Sequence, residues 1–229
     1  MCADRLEDLS GRLAALKRRG SNLLVVSGPE EGARACRHLL GDPDAARRAL
    51  FVPTTVGVAD VRTRWHGPET DDRFGVVDVT GTRAPGVADD GGPSPGGVAA
   101  QVDDAPWYEA VEDPTNLATV GEAVRDGLAR LADDDPAPGT VRLCIDSLDP
   151  FFDVATPEAV FRLIHVVTAS VRHVDGMGHV HLADHVDPTR RSLLEPLFDA
   201  TVTVESGPDG IRERWRLHDS GYETGWLAV

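Results

Sequence analysis

Asn22-Leu23-Leu24-Val25-Val26-Ser27-Gly28-Pro29-Glu30-Glu31-Gly32 is the stretch that sets the fold class. The run from Asn22 to Ser27 is apolar, too short for a helix and without the alternation of a half-exposed strand, so it predicts a strand buried on both faces. Gly28 to Gly32 then turns the chain into a helix of about eight residues ending near Gly41, a residue type that closes helices. Upstream, Leu6, Leu9, Leu13 and Leu16 recur at helical spacing, with Arg12, Lys17, Arg18 and Arg19 late in the segment. That pattern predicts an amphipathic helix over 5–18, halted by Gly20. A strand, a glycine-bearing loop and a helix in this order open an α/β unit.

The alternation continues. Residues 49–53, 74–79 and 141–145 read as strands and 117–131 as a helix. Thr156 is placed to cap a further helix, with Pro157 at its first position and Glu158 in its first turn. Its apolar stripe of Val160, Phe161, Ile164, Val167 and Val171 carries it to about residue 173, before Gly176-Met177-Gly178. A strand over 179–182, a helix over 188–198 and a strand over 200–205 follow. Gly207-Pro208-Asp209-Gly210 then turns the chain into a strand over 211–217, and a last strand closes the C-terminus as part of an antiparallel hairpin. Residues 84–105, rich in Gly, Pro, Ser and Asp, cannot bury enough apolar surface to order themselves and read as a mobile surface insertion. The expectation is a single α/β domain over 1–229, with residues 1–20 as its N-terminal helical segment.

Composition narrows the function classes. With 38 acidic against 23 basic residues the formal net charge is −15, and Lys17 is the only lysine. That balance opposes binding to a phosphate backbone, so nucleic acid is not an expected partner. The acids are spread along the chain and read as a solvated acidic shell of the kind found in high-salt cytoplasm, with an ordinary acidic surface as the alternative. No stretch has the length and continuous apolar character of a membrane span. The N-terminus lacks the basic flank and apolar run of a signal peptide. Cys2, Cys36 and Cys144 form an odd, scattered set, which together with that N-terminus fits a reducing cytoplasm.

Three groups of residues carry possible chemistry. The loop from Gly28 to Gly32 sits where a strand meets a helix N-terminus, a ready anion site. A phosphate-binding loop of the form G-x-x-x-x-G-K-[ST] uses its lysine on the terminal phosphates and its hydroxyl on magnesium. Here the glycines are closer together, Ala33 and Arg34 stand where Lys and Ser/Thr belong, and Glu30 and Glu31 would repel a phosphate. The loop is either a structural turn or a nucleotide loop with Arg34 substituting for the lysine. Second, the strand ending Cys144-Ile145-Asp146-Ser147 offers an acid and a hydroxyl that either orient magnesium through water or cap a turn. Third, His179 and His181 face one side of a strand and His185 follows in the loop, giving either a metal site or polar residues satisfied at a strand end. His165 reads as a core or interface residue. Arg212, Arg214 and Arg216 alternate onto one strand face, either for an acidic partner or as a solvated edge. Trp107 and Tyr108 read as an anchor or a docking motif.

Leu23 to Gly28, Asp113-Pro114-Thr115-Asn116-Leu117, Cys144 to Pro150, Phe161 to His165 and Leu197 to Val202 together resemble the RecA-like ATPases of the KaiC/RadA group, over roughly residues 21–229. The likeness extends to small KaiC-like, RecA-fold proteins of salt-loving archaea that have no assigned activity. The resemblance implies a three-layer RecA-like P-loop fold, a mostly parallel sheet flanked by helices, with the nucleotide site at the strand ends. It sets Gly28, Gly32 and Arg34 at the Walker A position and Asp146 with Ser147 at Walker B. The family's catalytic glutamates follow its second strand, where this chain has Thr54 and Thr55. In ring-forming relatives, basic residues near the C-terminus reach a neighbouring subunit's nucleotide, the role the resemblance offers to Arg212, Arg214 and Arg216. Without lysine, magnesium hydroxyl or glutamate, positioning and charge stabilisation for hydrolysis are missing. The expectation is a pseudo-ATPase: a non-catalytic cytoplasmic regulatory or protein-interaction module with a protein partner or further copies of itself, no catalytic residue and no required cofactor. The alternatives are an atypical ATP and magnesium binder, and a metal protein using His179, His181 and His185.

Overall fold

A central sheet needs strands that tolerate burial on both faces, and β1 (Ser21–Ser27) meets that need, with every residue buried. The computed structural model describes residues 11–16, 18–41, 45–65, 73–82, 107–208 and 210–228; the segment 84–105 and the first half of the 5–18 helix lie outside them. Residues 11–16 are helical (α1) and lead into β1. The elements that follow are α2 (Pro29–Leu40), β2 (Arg48–Pro53), α3 (Val58–Arg62), β3 (Phe74–Asp78), β4 (Trp107–Ala110) and α4 (Leu117–Leu131). Then come β5 (Val141–Asp146), α5 (Asp149–Val154), α6 (Pro157–His173), β6 (Met177–Ala183), α7 (Pro188–Leu194), β7 (Ala200–Gly207), β8 (Gly210–Leu217) and β9 (Leu227–Ala228).

The described strands form one nine-stranded sheet in the order β4-β3-β2-β5-β6-β1-β7-β8-β9. From β4 to β7 every neighbouring pair is parallel, and β8 and β9 return antiparallel. The mostly parallel α/β sheet with a C-terminal antiparallel hairpin is therefore the fold of the chain. Alternate residues divide the core. Leu24, Val26, Leu50, Val52, Leu143, Ile145, Val180 and Leu182 join the stripes of α4 and α6 on one face. On the other face Leu16 of α1 and Ala35 of α2 pack with Leu23, Val25, Val202 and Trp215, while Cys36 and Leu40 of α2 and Val61 of α3 pack with Ala49, Phe51, Phe74 and Cys144.

Local signals account for most boundaries. Thr156 accepts a hydrogen bond from the Ala159 N–H at 3.3 Å, and Asn116 caps α4 by accepting from Ala118 N–H at 3.2 Å. The helix that ends at Gly41 runs for 12 residues, longer than its expected length, because Pro29 already occupies a helical position. The expected helix over 188–198 divides into α7 and a short 3-10 turn over Glu195–Leu197, since Pro196 has no N–H to extend an α-helical ladder. Trp107 and Tyr108 belong to β4, the last strand of the described sheet on the β3 side. Gly75 and Gly127 make room for the Trp107 ring, a Cβ at either coming 2.7 Å from it. β8 lies between β7 and β9 rather than at the sheet edge, and its Arg212, Arg214 and Arg216 pair with Glu205, Glu223 and Glu195.

Candidate functional site

The C-terminal ends of β1, β5 and β6 meet at one sheet edge, the place where open α/β sheets set their ligand sites. β1 leads to Gly28, which is the N-cap of α2, and β5 ends at Asp146, with β6 between the two strands. Residues 28–32 and Asp146 are thus brought to one edge, where Glu31 and Asp146 are already engaged. Glu31 reaches back so that a Cβ on Gly28 would stand 2.7 Å from Glu31 Oε2, and Ser206 Oγ donates to Glu31 Oε1 at 2.5 Å. The Glu31 carboxylate thereby lies beside the N-cap residue of α2, where its charge would repel a phosphate. Arg34 is exposed on α2, while its neighbours Gly32, Ala35 and Cys36 are buried.

Asp146 is ion-paired with Arg64, whose side chain is 9% exposed. Burial works to lower the Arg64 pKa, but Asp146, and then Cys36 and Cys144, keep it raised above the ordinary value. Beside them the Thr54 hydroxyl accepts from Ser147 N–H at 2.6 Å and donates to the Ser147 carbonyl at 2.8 Å. Ser147 Oγ donates to Asp149 Oδ2 at 2.7 Å, and the same carboxylate accepts from Ala183 N–H at 3.1 Å. Ser147 thus serves a turn that ties β5 to the end of β6.

Below this edge, on the α2 face of the sheet, lies a second polar cluster. His179 and His181 do face one side of β6, their ring centroids 5.4 Å apart and nearly perpendicular. His185 does not join them: its side chain is 87% exposed and sits 3.4 Å from Asp184, because the chain has already left the sheet. The cluster is completed by Cys144, opposite His179 in the β5–β6 register, and by Cys36 from α2. Cys36 Sγ lies 3.2 Å from Cys144 Sγ and 3.3 Å from His179 Nε2. Burial pushes Cys144 well above the ordinary thiol range, and its hydrogen bond to Cys36 adds to this. Burial also works to raise Cys36, but hydrogen bonds from Cys144, His179 and His181 together with the charge of His179 outweigh it and hold that thiol well below its ordinary value. His179 is lowered, chiefly by burial. Sequence reasoning missed Cys36, Cys144 and Arg64. The one local signal was the position of Cys36 in the buried stripe of α2, one turn before Leu40. His165 is exposed and stacks on Phe161 rather than entering the core.

A family of unknown function, DUF7504, matches residues 20–204. The chain belongs to this family. The part shared with DUF7504 runs from the residue before β1 into β7, so it includes both the loop edge and the thiol–imidazole cluster and stops short of β8. No curated protein matches the chain. Among solved structures, the chain is similar to an uncharacterized protein from Pyrococcus horikoshii, crystallised in complex with an unknown peptide. The two are 13% identical with a TM-score of 0.56, over 87% of this chain and 84% of that one. The likeness is one of fold.

Proposed function

We propose that this chain is a non-hydrolysing relative of the KaiC/RadA-like ATPases, a cytoplasmic α/β module that works by engaging a protein partner or further copies of itself. The observation that carries this reading is the ion pair between Asp146 and the buried Arg64, which commits the acid that would orient magnesium. Glu31 over the loop and Thr54 bonded to Ser147 point the same way. An incoming nucleotide would meet a carboxylate beside the helix N-terminus and have to break a largely buried ion pair, with no lysine to compensate. The placement of β6 between β1 and β5 supports the RecA-like part of the reading, because it brings residues 28–32 and Asp146 to a common edge. Cys36 and Cys144, which are not joined as a disulfide, support a reducing compartment.

Titration calorimetry with ATP and magnesium in molar potassium chloride tests the reading, with Asp146→Ala alongside. The expected result is no heat at millimolar ATP from a folded sample. Micromolar binding that disappears in Asp146→Ala would overturn the proposal and make the chain a nucleotide-responsive switch.

A further inference from the structure

We propose that Cys36, Cys144, His179 and His181 hold one divalent metal ion in a four-coordinate site, with zinc the ion best suited to the donor set. This goes beyond the preceding reading and stands whether or not the loop binds nucleotide. The four side chains come from three elements, α2, β5 and β6, and their ligand atoms all lie within 4.8 Å of one another. Tetrahedral bonds of about 2.3 Å to sulfur and about 2.0–2.1 Å to imidazole nitrogen set ligand atoms about 3.3–3.8 Å apart. The observed 3.2 Å between the sulfurs and 3.3 Å from Cys36 Sγ to His179 Nε2 are shorter than the roughly 3.8 Å and 3.5 Å that a tetrahedral ion sets for S···S and S···N pairs, so the thiols must part by about half an ångström. A small outward adjustment of the side chains admits the ion.

Energetics favours an occupant. The residues are 0–4% exposed, and Cys36 and Cys144 pack within the apolar cluster around Leu40, Phe51 and Phe74, while Ala35, beside Cys36 on α2, belongs to the cluster around Val25 and Val202. Polar groups withdrawn from water cost stability unless they are bonded, and His181 Nε2 has no hydrogen-bond partner among the described residues. Gly32 adds a geometric observation: a Cβ there would stand 3.3 Å from His181 Nδ1 and 2.8 Å from Ser27 Oγ, so α2 comes close to the strands one turn before Cys36.

The donor set decides the ion. Two imidazoles and two thiols suit zinc, whereas magnesium, calcium and manganese take oxygen ligands, of which the set has none. Both sulfurs bind as thiolates and release their protons to solvent, so a divalent ion with two thiolates forms a unit without net charge, the form that burial tolerates. Four protein ligands leave no position for substrate, which makes the site structural. Its effect is to pin α2, the helix that begins at the Gly28 loop, onto β5 and β6.

The test uses the full chain, freed of any affinity tag, reduced and stripped of metal by chelation, then titrated with cobalt(II). One equivalent is expected to produce the visible bands of a tetrahedral centre and thiolate-to-cobalt charge transfer in the near ultraviolet, both abolished by one equivalent of zinc. His185→Ala should leave the spectrum unchanged. Cys36→Ser and His181→Ala should weaken cobalt binding by more than the roughly 10- to 100-fold typical of outer-shell changes, with circular dichroism confirming their fold. A folded, fully reduced wild-type chain that gives no charge-transfer band would overturn the proposal, as would a spectrum that survives both ligand substitutions. So would isolation of the chain with Cys36 and Cys144 joined as a disulfide that resists reduction while the chain is folded.

Discussion

Arg142 is a buried cation with no carboxylate paired to it among the described residues. It sits on β5 at 3% exposure, its Nε has no partner among the described residues, and its NH1 points at the weakly accepting Met177 Sδ at 2.6 Å. Burial, with the charge of Arg47 second, lowers its pKa to about 9, still high enough for the guanidinium to be charged at neutral pH. A buried cation without an opposite charge is a net cost, and an apolar residue of similar length removes it. Arg142→Met is therefore expected to stabilise the fold by about 1–2 kcal/mol, raising Tm by roughly 2–8 °C. A thermal melt at pH 7 checks this, and a lower Tm would mean that the packing of the arginine stem outweighs its charge. Arg64 is the contrasting case, since Asp146 and the nearby cysteines repay its burial. Neither role is legible locally, because an arginine in sequence does not announce whether a carboxylate will be folded against it.

At the scale of elements, α4 shows where helix propensity and packing disagree. Gly121 and Gly127 both lie on its buried face. A Cβ at Gly127 would stand 2.7 Å from two atoms of the Trp107 ring and 3.0 Å from Leu50 Cδ2, whereas one at Gly121 would meet Leu163 Cδ1 at 3.4 Å, an ordinary contact. Propensity alone favours alanine at either site by about 1 kcal/mol. Gly121→Ala should accordingly stabilise by up to about 1 kcal/mol, while Gly127→Ala should destabilise by about 1–3 kcal/mol through overpacking. Denaturant midpoints of the two variants measure the contrast, and equal shifts would show that the Trp107 ring can move aside. The start of α6 was readable beforehand because Thr156 acts on a backbone group three residues away, and α4 was readable from its pattern, its Asn116 cap emerging only in the structure. β4 was not, since its four residues carry no period of their own and become a strand only by pairing with β3. The short α3 and α5 escaped for a related reason, being too brief to display a helical stripe.

For the whole molecule, 38 acidic and 23 basic residues leave an excess of negative charge that the ion pairs cannot neutralise. Compaction brings these charges together, and salt screens them, the Debye length falling from about 10 Å at 0.1 M to about 3 Å at 1 M. Stability should rise with potassium chloride over that range despite weakened surface pairs such as Arg125–Asp126. Thermal melts across the series check this, and a flat or falling Tm would mean that the acidic surface contributes no net repulsion. No described helix is long and apolar enough to cross a membrane. By itself the sequence determined the α/β class and most element boundaries, because strands buried on both faces read as short apolar runs and Gly, Pro and capping residues act within a few positions. It also placed His179 and His181 on a common face, a consequence of strand periodicity. Only the tertiary structure decided the strand order, the pairing of Arg64 with Asp146, and the replacement of His185 by Cys36 and Cys144 beside those histidines. Crossovers and register bring residues 36, 144, 179 and 181 together from separate elements, and no local rule of spacing encodes a contact that long-range strand pairing creates.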